Sequence, residues 1–378
     1  MKFIHLSDLH LGKRVNEFPM LEDQAYILKE VLSLLDAEQP DALVIAGDVY
    51  DRSIPPAEAV TLLDEFLVEV AQRKLPTLII SGNHDSAERL AFAGRLMEKN
   101  LIYISPAYNG AEPPVTLTDE YGPVDFYLLP FVKPGQVRRC FPEEEIDSYT
   151  DAVGCAIRAM NVDPARRSVL VTHQFVAGST RCESEELSVG GTDSVDAALF
   201  EPFDYVALGH LHGPQNVAGD RVRYCGTLLP YSFSEVHHHK SVTIVELGEK
   251  GQRTVRTVEL KPLRAMAEVR GTYLEVSSRP FYETVDRDAY IRVTLTDEED
   301  VPDAVGKLRR VYPNLMRLDY DNRRTRSAAV MPDAAGAPQA TPLELFEQLY
   351  EQQNGGPMEE RQRAYLEGLI ENIWEVQA

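Results

Sequence analysis

Five short motifs constrain this chain more than any other feature, because each sets a metal-ligating side chain at the end of a strand-like apolar run. They are Asp8-Leu9-His10, Gly47-Asp48, Gly82-Asn83-His84-Asp85, Thr172-His173 and Gly209-His210-Leu211-His212. Ligands at strand ends gather at one edge of a sheet, where open α/β sheets build their sites. The donors are carboxylate, imidazole and amide oxygen, with no thiolate, the set that divalent cations of the manganese or iron type prefer. Two such ions side by side activate a water and bind the oxygens of a phosphate ester. The pattern reads as a metal-dependent phosphoesterase.

The rest of the chain supplies a frame for such a site. Strand-like runs are clearest at Lys2–Leu6, Ala42–Ala46, Thr77–Ile80, Phe126–Leu129, Ser168–Val171, Tyr205–Leu208, Val222–Cys225, Val242–Leu247 and Val255–Leu260. Between the early ones, Leu21, Ala25, Leu28, Leu32 and Leu35 repeat at helical spacing, as do Val60, Leu63, Phe66, Leu67 and Val70. Strand–helix–strand spacing predicts a partly parallel sheet. The later strands crowd together with turns between them, which predicts a more antiparallel half. The expected fold class is α/β, a two-sheet sandwich flanked by helices, over residues 1–262. Helix 86–100, with Leu90, Phe92, Leu96 and Met97, suits either the core or a dimer face.

Beyond Pro262 the texture changes. Tyr290–Leu295, an amphipathic stretch with Val301, Val305, Leu308 and Val311, and Leu315–Tyr320 predict a small α+β domain over 263–326. Residues 327–340 are small and Pro-containing and read as a linker. In 341–378, Thr341-Pro342 resembles a helix start, and Gly355-Gly356 separates two apolar stripes. These are Leu343, Phe346, Leu349 and Tyr350, then Leu366, Leu369, Ile370, Ile373 and Trp374. Two helices of this size bury too little surface to stand alone, so they pack on their own protein or, given the tether, dock on a partner.

Charge and composition exclude some classes. A net charge of −22 argues against a simple nucleic-acid-binding module, though not against an enzyme whose cations meet the phosphate. Local arginine clusters at 138–139, 166–167, 221 with 223, and 323–326 read singly as solvated charge. No run approaches the length of a membrane span or a signal-peptide core, and the four cysteines lack CxxC spacing. A cytoplasmic protein with reduced thiols is the expectation.

Within the motifs, Asp8 and His10 share one side if the segment is extended, and so do His210 and His212, which suits one ligand for each of two metals. Asp48 suits a bridging carboxylate, Asn83 offers a neutral oxygen, and His173 adds a nitrogen. The glycines before ligands (Gly47, Gly82, Gly209) leave room for close backbone approach. His84, beside Asn83, suits a general acid for the leaving oxygen. Such a histidine needs a carboxylate on its other nitrogen, for which Asp51 is the first candidate and Asp85 the second. Both also suit helix caps, Asp51 near Pro55 and Asp85 before Ser86. His237-His238-His239 reads as a solvated loop and His5 as a core histidine.

Together the five motifs, with Gly47-Asp48-x-x-Asp51, resemble the calcineurin-like metallophosphoesterases. Phe3 to Gly12, Gly47-Asp48-Val49-Tyr50-Asp51 and Cys225 to Glu235 resemble more closely the SbcD family, the nuclease subunits of bacterial SbcCD complexes. The resemblance spans residues 1–240, with domain order agreeing beyond, and departs at Thr227, often Ser in the family, and at the triple histidine. Neither departure is expected to touch the metal site. It implies one metal on Asp8, His10 and His212, a second on Asn83, His173 and His210, and Asp48 bridging. His84, oriented by Asp51, would assist the leaving group. It further implies two manganese ions, a homodimer, a DNA-holding capping domain in 263–326 and a C-terminal helical segment bound to an SbcC-like coiled-coil ATPase. The implied activity is exonuclease action on double-stranded DNA ends and endonuclease action on hairpins, in DNA repair and recombination.

Two other readings remain open from the sequence. A small-molecule phosphodiesterase or phosphatase of the same superfamily would have no use for the domains after 262. A non-catalytic DNA-end scaffold would have no use for an acid such as His84 beside its metals.

Overall fold

The computed structural model describes residues 1–110, 113–182, 185, 194–323 and 325, and in the C-terminal stretch 343, 346–347, 349–351 and 357–375. The chain divides into two compact units, Met1–Tyr320 and Asp321–Ala378.

The first unit is built on two six-stranded sheets packed face to face. One runs in the order Arg253–Glu259, Ser241–Leu247, Lys2–Leu6, Ala42–Ala46, Thr77–Ile80, Ile102–Ile104, and the last four strands are parallel. The other runs Gln215–Asn216, Val222–Tyr224, Tyr205–Gly209, Arg167–His173, Gly122–Leu129, Val115–Asp119. Strand alternation explains the layering. Along Ala42–Ala46, Ala42, Val44 and Ala46 face the second sheet, while Leu43 and Ile45 face helices Leu21–Glu38 and Ala57–Gln72. The second sheet mirrors this: Val169 and Val171 point between the sheets, and Leu170 points to the side covered by helix Tyr149–Ala159. Each fully buried aliphatic side chain in these layers contributes about 1.5–3 kcal/mol.

The expected antiparallel half forms only in part. The central strands of the second sheet, Gly122–Leu129, Arg167–His173, Tyr205–Gly209 and Val222–Tyr224, are all parallel, and antiparallel pairing is confined to its two edges. The late hairpin Ser241–Leu247 with Arg253–Glu259 joins the first sheet instead. Parallel order in both sheets has a functional consequence: the carboxyl ends of five strands point to one edge.

Helix 86–100 is also not continuous. Ala87–Leu90 and Gly94–Met97 are separate turns, because Ala93 sits at φ +61 between them, and a short 3₁₀ turn follows. Phe92 and Leu96 project outward, 80% and 68% exposed.

Residues 266–320 form a three-stranded parallel sheet, Met266–Gly271, Tyr290–Leu295, Leu315–Tyr320, with short helices and a core of its own around Ile291, Val293, Leu308 and Tyr312. It is part of the first compact unit. Arg264 pairs with Glu22 and the buried Asp23 of helix Leu21–Glu38, and the Tyr290 hydroxyl donates to the same Asp23.

In the second unit, helix Glu360–Glu375 is described, and Arg363 on it pairs with Glu347 at 2.9 Å. Phe346, Leu349, Tyr365 and Leu369 are exposed. The linker 327–340, Thr341-Pro342, Gly355-Gly356, Arg324, Arg326 and the side chains of Ile370, Ile373 and Trp374 lie outside the described residues.

Candidate metal centre

The ends of the parallel strands carry the centre. Asp8 and His10 follow Lys2–Leu6, Asp48 follows Ala42–Ala46, and Asn83 follows Thr77–Ile80. His173 ends its own strand, in register with Gly209, which leads into His210 and His212. The loops are locked together by main-chain bonds from Asp8 N to the Gly47 carbonyl and from His10 N to the Asp48 carbonyl. Contrary to the extended form that its spacing suggested, the first ligand loop is coiled. Asp8, His10 and Asp48 all take positive φ, 53°, 45° and 49°, so the chain winds through the site and brings the side chains together.

Crowding explains the glycines. Gly47 is at φ +87, and a Cβ there would come within 2.5 Å of His173 Nδ1. A Cβ on Gly82 would fall on the Asp48 carboxylate. These two positions tolerate no side chain without moving a donor.

Asp48 stands at the middle. Its Oδ2 lies 3.3 Å from His173 Nε2, 3.7 Å from His10 Nε2 and 3.9 Å from His84 Nε2, while Oδ1 accepts from the His84 amide. To one side, His10 Nε2 is 3.2 Å from His212 Nε2, and Asp8 completes a group of three with them. To the other, Asn83 Oδ1 lies 3.0 Å from His173 Nε2 and 2.9 Å from His210 Nδ1. Asp8 also accepts from the His210 amide. All seven expected ligands therefore converge, in two sets that share Asp48.

The ring nitrogens turned away from the centre fix which nitrogen faces it. His173 Nδ1 donates to the Ala46 carbonyl and His84 Nδ1 to the Asp51 carbonyl, both at 2.9 Å. A carbonyl only accepts, so Nδ1 of each ring carries a hydrogen, and Nε2 is the nitrogen turned toward Asp48. His212 Nδ1 faces a side chain instead, Glu235 Oε1 at 3.6 Å.

The donor set fits divalent cations. Asp8, His10, Asp48, His173 and His212 are buried. Burial pushes the Asp8 carboxyl up to about 6, against the pull of His173 and reinforced by Asp48. Burial opposes charge at Asp48 too, but His173 outweighs it and holds that carboxyl well below the usual range. His173 in turn, despite its own burial, is raised to about 9 by Asp48. Burial drives His10 well below an ordinary histidine. Two buried carboxylates among converging imidazoles, with the Nε2 atoms of His10 and His212 only 3.2 Å apart, form a donor set that divalent cations suit.

Two side-chain roles differ from expectation. Asp51 reaches His84 through its main-chain carbonyl; its carboxylate instead accepts from Lys13 at 2.7 Å and lies 3.7 Å from His10 Nδ1. The reason is local: the turn after Asp48 presents the carbonyl inward and leaves the side chain to the lysine. Asp85 neither orients His84 nor caps the helix. Its carboxylate accepts from the amides of Val49, Tyr50 and Gly82, binding two loops together, while Ser86 caps the following turn. Thr227 does touch the centre, since its amide donates to the His212 carbonyl and its hydroxyl joins Lys240 and Glu235.

His84 is partly exposed, with 18% of its side chain open, as Asn83 and His210 also are in part. His237 and His239 are exposed and His238 half-buried, as a loop tract would be. His5 is buried between the sheets, taking a bond from the Tyr205 hydroxyl and donating to the Leu208 carbonyl. The clusters at 166–167 and 221–223 are spent internally: Arg166 pairs with Asp125, Arg167 with Asp119, and Arg223 bonds Asn216. Sequence reading missed Glu235, Lys240, Glu185 and Gln24, which brace the ligand loops. Gln24 donates to the His10 carbonyl and Glu185 accepts from the His212 amide. Isolated polar residues on a helix, a turn or a strand end carry no spacing signal that could have flagged these.

Residues 1–214 match the family model of the calcineurin-like phosphoesterases, and residues 262–354 match one described as the type 5 capsule protein repressor C-terminal domain. The chain is 35% identical over 322 residues to a protein of Staphylococcus epidermidis named as the D subunit of the nuclease SbcCD, covering 84% of this chain and 85% of that one. It is 38% identical over 323 residues to the protein of the same name from Staphylococcus saprophyticus, covering 84% of each. The first matched region takes in every candidate ligand from Asp8 to His212, and the chain belongs to the calcineurin-like phosphoesterases and, within them, to the SbcD family.

Proposed function

We propose that this chain is a manganese-dependent DNA nuclease, cutting phosphodiesters at duplex ends and in hairpins together with a coiled-coil ATPase of the SbcC type. The observation that carries the reading is Asp48: one carboxylate shared by two ligand sets, with a half-open histidine beside it. One cation would be held by Asp8, His10 and His212, the other by Asn83, His173 and His210, and Asp48 would serve both. Bound there, the cations supply an acidified water and neutralise the phosphoryl oxygens. His84 acts from the protein side. With Nδ1–H committed to the Asp51 carbonyl, its Nε2 holds the proton passed to the departing sugar oxygen.

Other features support the larger assembly. The sheet of residues 266–320, braced on Asp23 by Arg264 and Tyr290, suits a cap that holds DNA. Exposed Ile54, Phe92 and Leu96 suit contact with a second copy, and the exposed apolar residues of 346–369 suit docking on the ATPase. None of the described helices is long and apolar enough to cross a membrane. The proposed place of action is the cytoplasm, where the DNA substrate lies.

The test is cleavage of an end-labelled hairpin duplex with manganese, alone and with the ATPase partner. Cleavage that a chelator and His84→Ala both abolish supports the reading. An intact hairpin with the partner present, alongside hydrolysis of a small phosphodiester, overturns it.

A further inference from the structure

Behind His212 lies a buried ion pair. Glu235 sits on the 3₁₀ turn Phe233–Glu235 and Lys240 just before the strand Ser241–Leu247, and both are buried. Lys240 Nζ donates to Glu235 Oε2 at 2.5 Å, to Thr227 Oγ1 at 2.7 Å and to the His212 carbonyl at 2.9 Å. An ammonium has three protons, and all three are placed. The remaining carboxylate oxygen, Glu235 Oε1, faces His212 Nδ1 at 3.6 Å, on the opposite side of the ring from the Nε2 that meets His10.

A buried ion pair is a poor device for stability alone, since a well-packed apolar pair of the same volume is often as good. This one is aimed at a single ring. His173 and His84 have their distal nitrogens set by main-chain carbonyls. His212 Nδ1 instead faces a side-chain carboxylate at 3.6 Å, and a carboxylate makes an imidazole a stronger donor than a neutral partner does.

We propose that Glu235 and Lys240 are positioning residues for His212: Glu235 accepts from Nδ1–H and commits Nε2 to the cation, while Lys240 fixes the carboxylate and the His212 carbonyl together. Thr227 completes the clamp by bonding both partners and the His212 carbonyl. The inference rests on the metal-centre reading above, and its test separates the two.

The discriminating variant is Glu235→Gln. Its amide oxygen still accepts from Lys240, but its NH₂ faces Nδ1 as a donor, which moves the His212 proton to Nε2 and blocks the metal. Manganese titration of the wild type should show two equivalents bound. In Glu235→Gln, affinity at one of them should fall about 10–100-fold, and Glu235→Asp should recover part of the loss. A second readout needs no variant of the pair: ¹⁵N spectra of the metal-free wild type, with His212 assigned by its loss in His212→Asn, should show the Nδ1–H form. An Nε2–H signal there, or two unaltered manganese sites in a folded Glu235→Gln, overturns the positioning role. A wild type that binds no manganese overturns the metal-centre reading instead, while the tautomer still reports on the clamp.

Discussion

His84 Nδ1 donates to the main-chain carbonyl of Asp51 at 2.9 Å, while the Asp51 carboxylate turns away to Lys13 and the far nitrogen of His10. The histidine proposed to handle the proton is thus oriented by an atom that no substitution deletes, and the Asp51 side chain serves a proposed ligand.

The two residues should therefore fail differently. His84→Ala is expected to lower turnover by about 10²–10⁴ with both manganese equivalents retained. Asp51→Asn is expected to weaken manganese binding by about tenfold through His10. A phosphodiester with a good aryl leaving group, which needs no acid, should restore much of the rate in His84→Ala and none in Asp51→Asn. Equal rescue of both would contradict this division.

Metal should stabilise the fold measurably, because a cation that binds only the folded centre adds about 2.7 kcal/mol at a hundredfold excess over its Kd. Thermal melts with manganese and with chelator should differ in the wild type. In Asp48→Asn, which removes the carboxylate shared by both ligand sets, the two melts should coincide.

Gly82 has no space for a methyl group beside Asp48. Gly82→Ala is expected to cost about 1–3 kcal/mol and to lose manganese binding as well. Gly135→Ala, where a Cβ meets nothing within 4 Å and the residue lies in helix Pro134–Cys140, should leave stability unchanged or raise it by about 0.4–1 kcal/mol. Chemical denaturation of the two variants checks both.

His5 predicts a pH dependence away from the metals. Burial, aided by Arg223, lowers its pKa from 6.5 to about 3. The unfolded chain takes up this proton below pH 6.5 and the folded chain only near pH 3. Stability from the neutral ring is complete above the unfolded value and lost as pH falls through the window, by about 1.4 kcal/mol per unit. Melts from about pH 7 to about pH 4.5 should show a shallower decline in His5→Gln than in the wild type.

With its arginines at 166, 167 and 223 engaged internally and a net charge of −22, the isolated chain should bind DNA poorly and lose that binding steeply with salt. Fluorescence anisotropy from low to physiological salt is the check; tight binding indifferent to salt would contradict it.

What the sequence determined by itself was local. Short apolar runs marked strands such as Lys2–Leu6, Ala42–Ala46 and Thr77–Ile80 to the residue, and the candidate donors Asp8, His10, Asp48, Asn83, His173, His210 and His212 were legible because their chemistry is carried by the side chain alone. What tertiary structure decided was everything set by contact between distant segments. Strand direction in the second sheet depends on crossovers that spacing does not encode. The turn at Ala93 broke a helix whose periodicity looked continuous. Above all, which oxygen faces each ring, the Ala46 or Asp51 carbonyl or the Glu235 carboxylate, depends on chain segments up to 127 residues apart that meet only in the packed fold. Hydrogen-bond direction is a property of that packing, and it is what turns a set of ligand types into an oriented site.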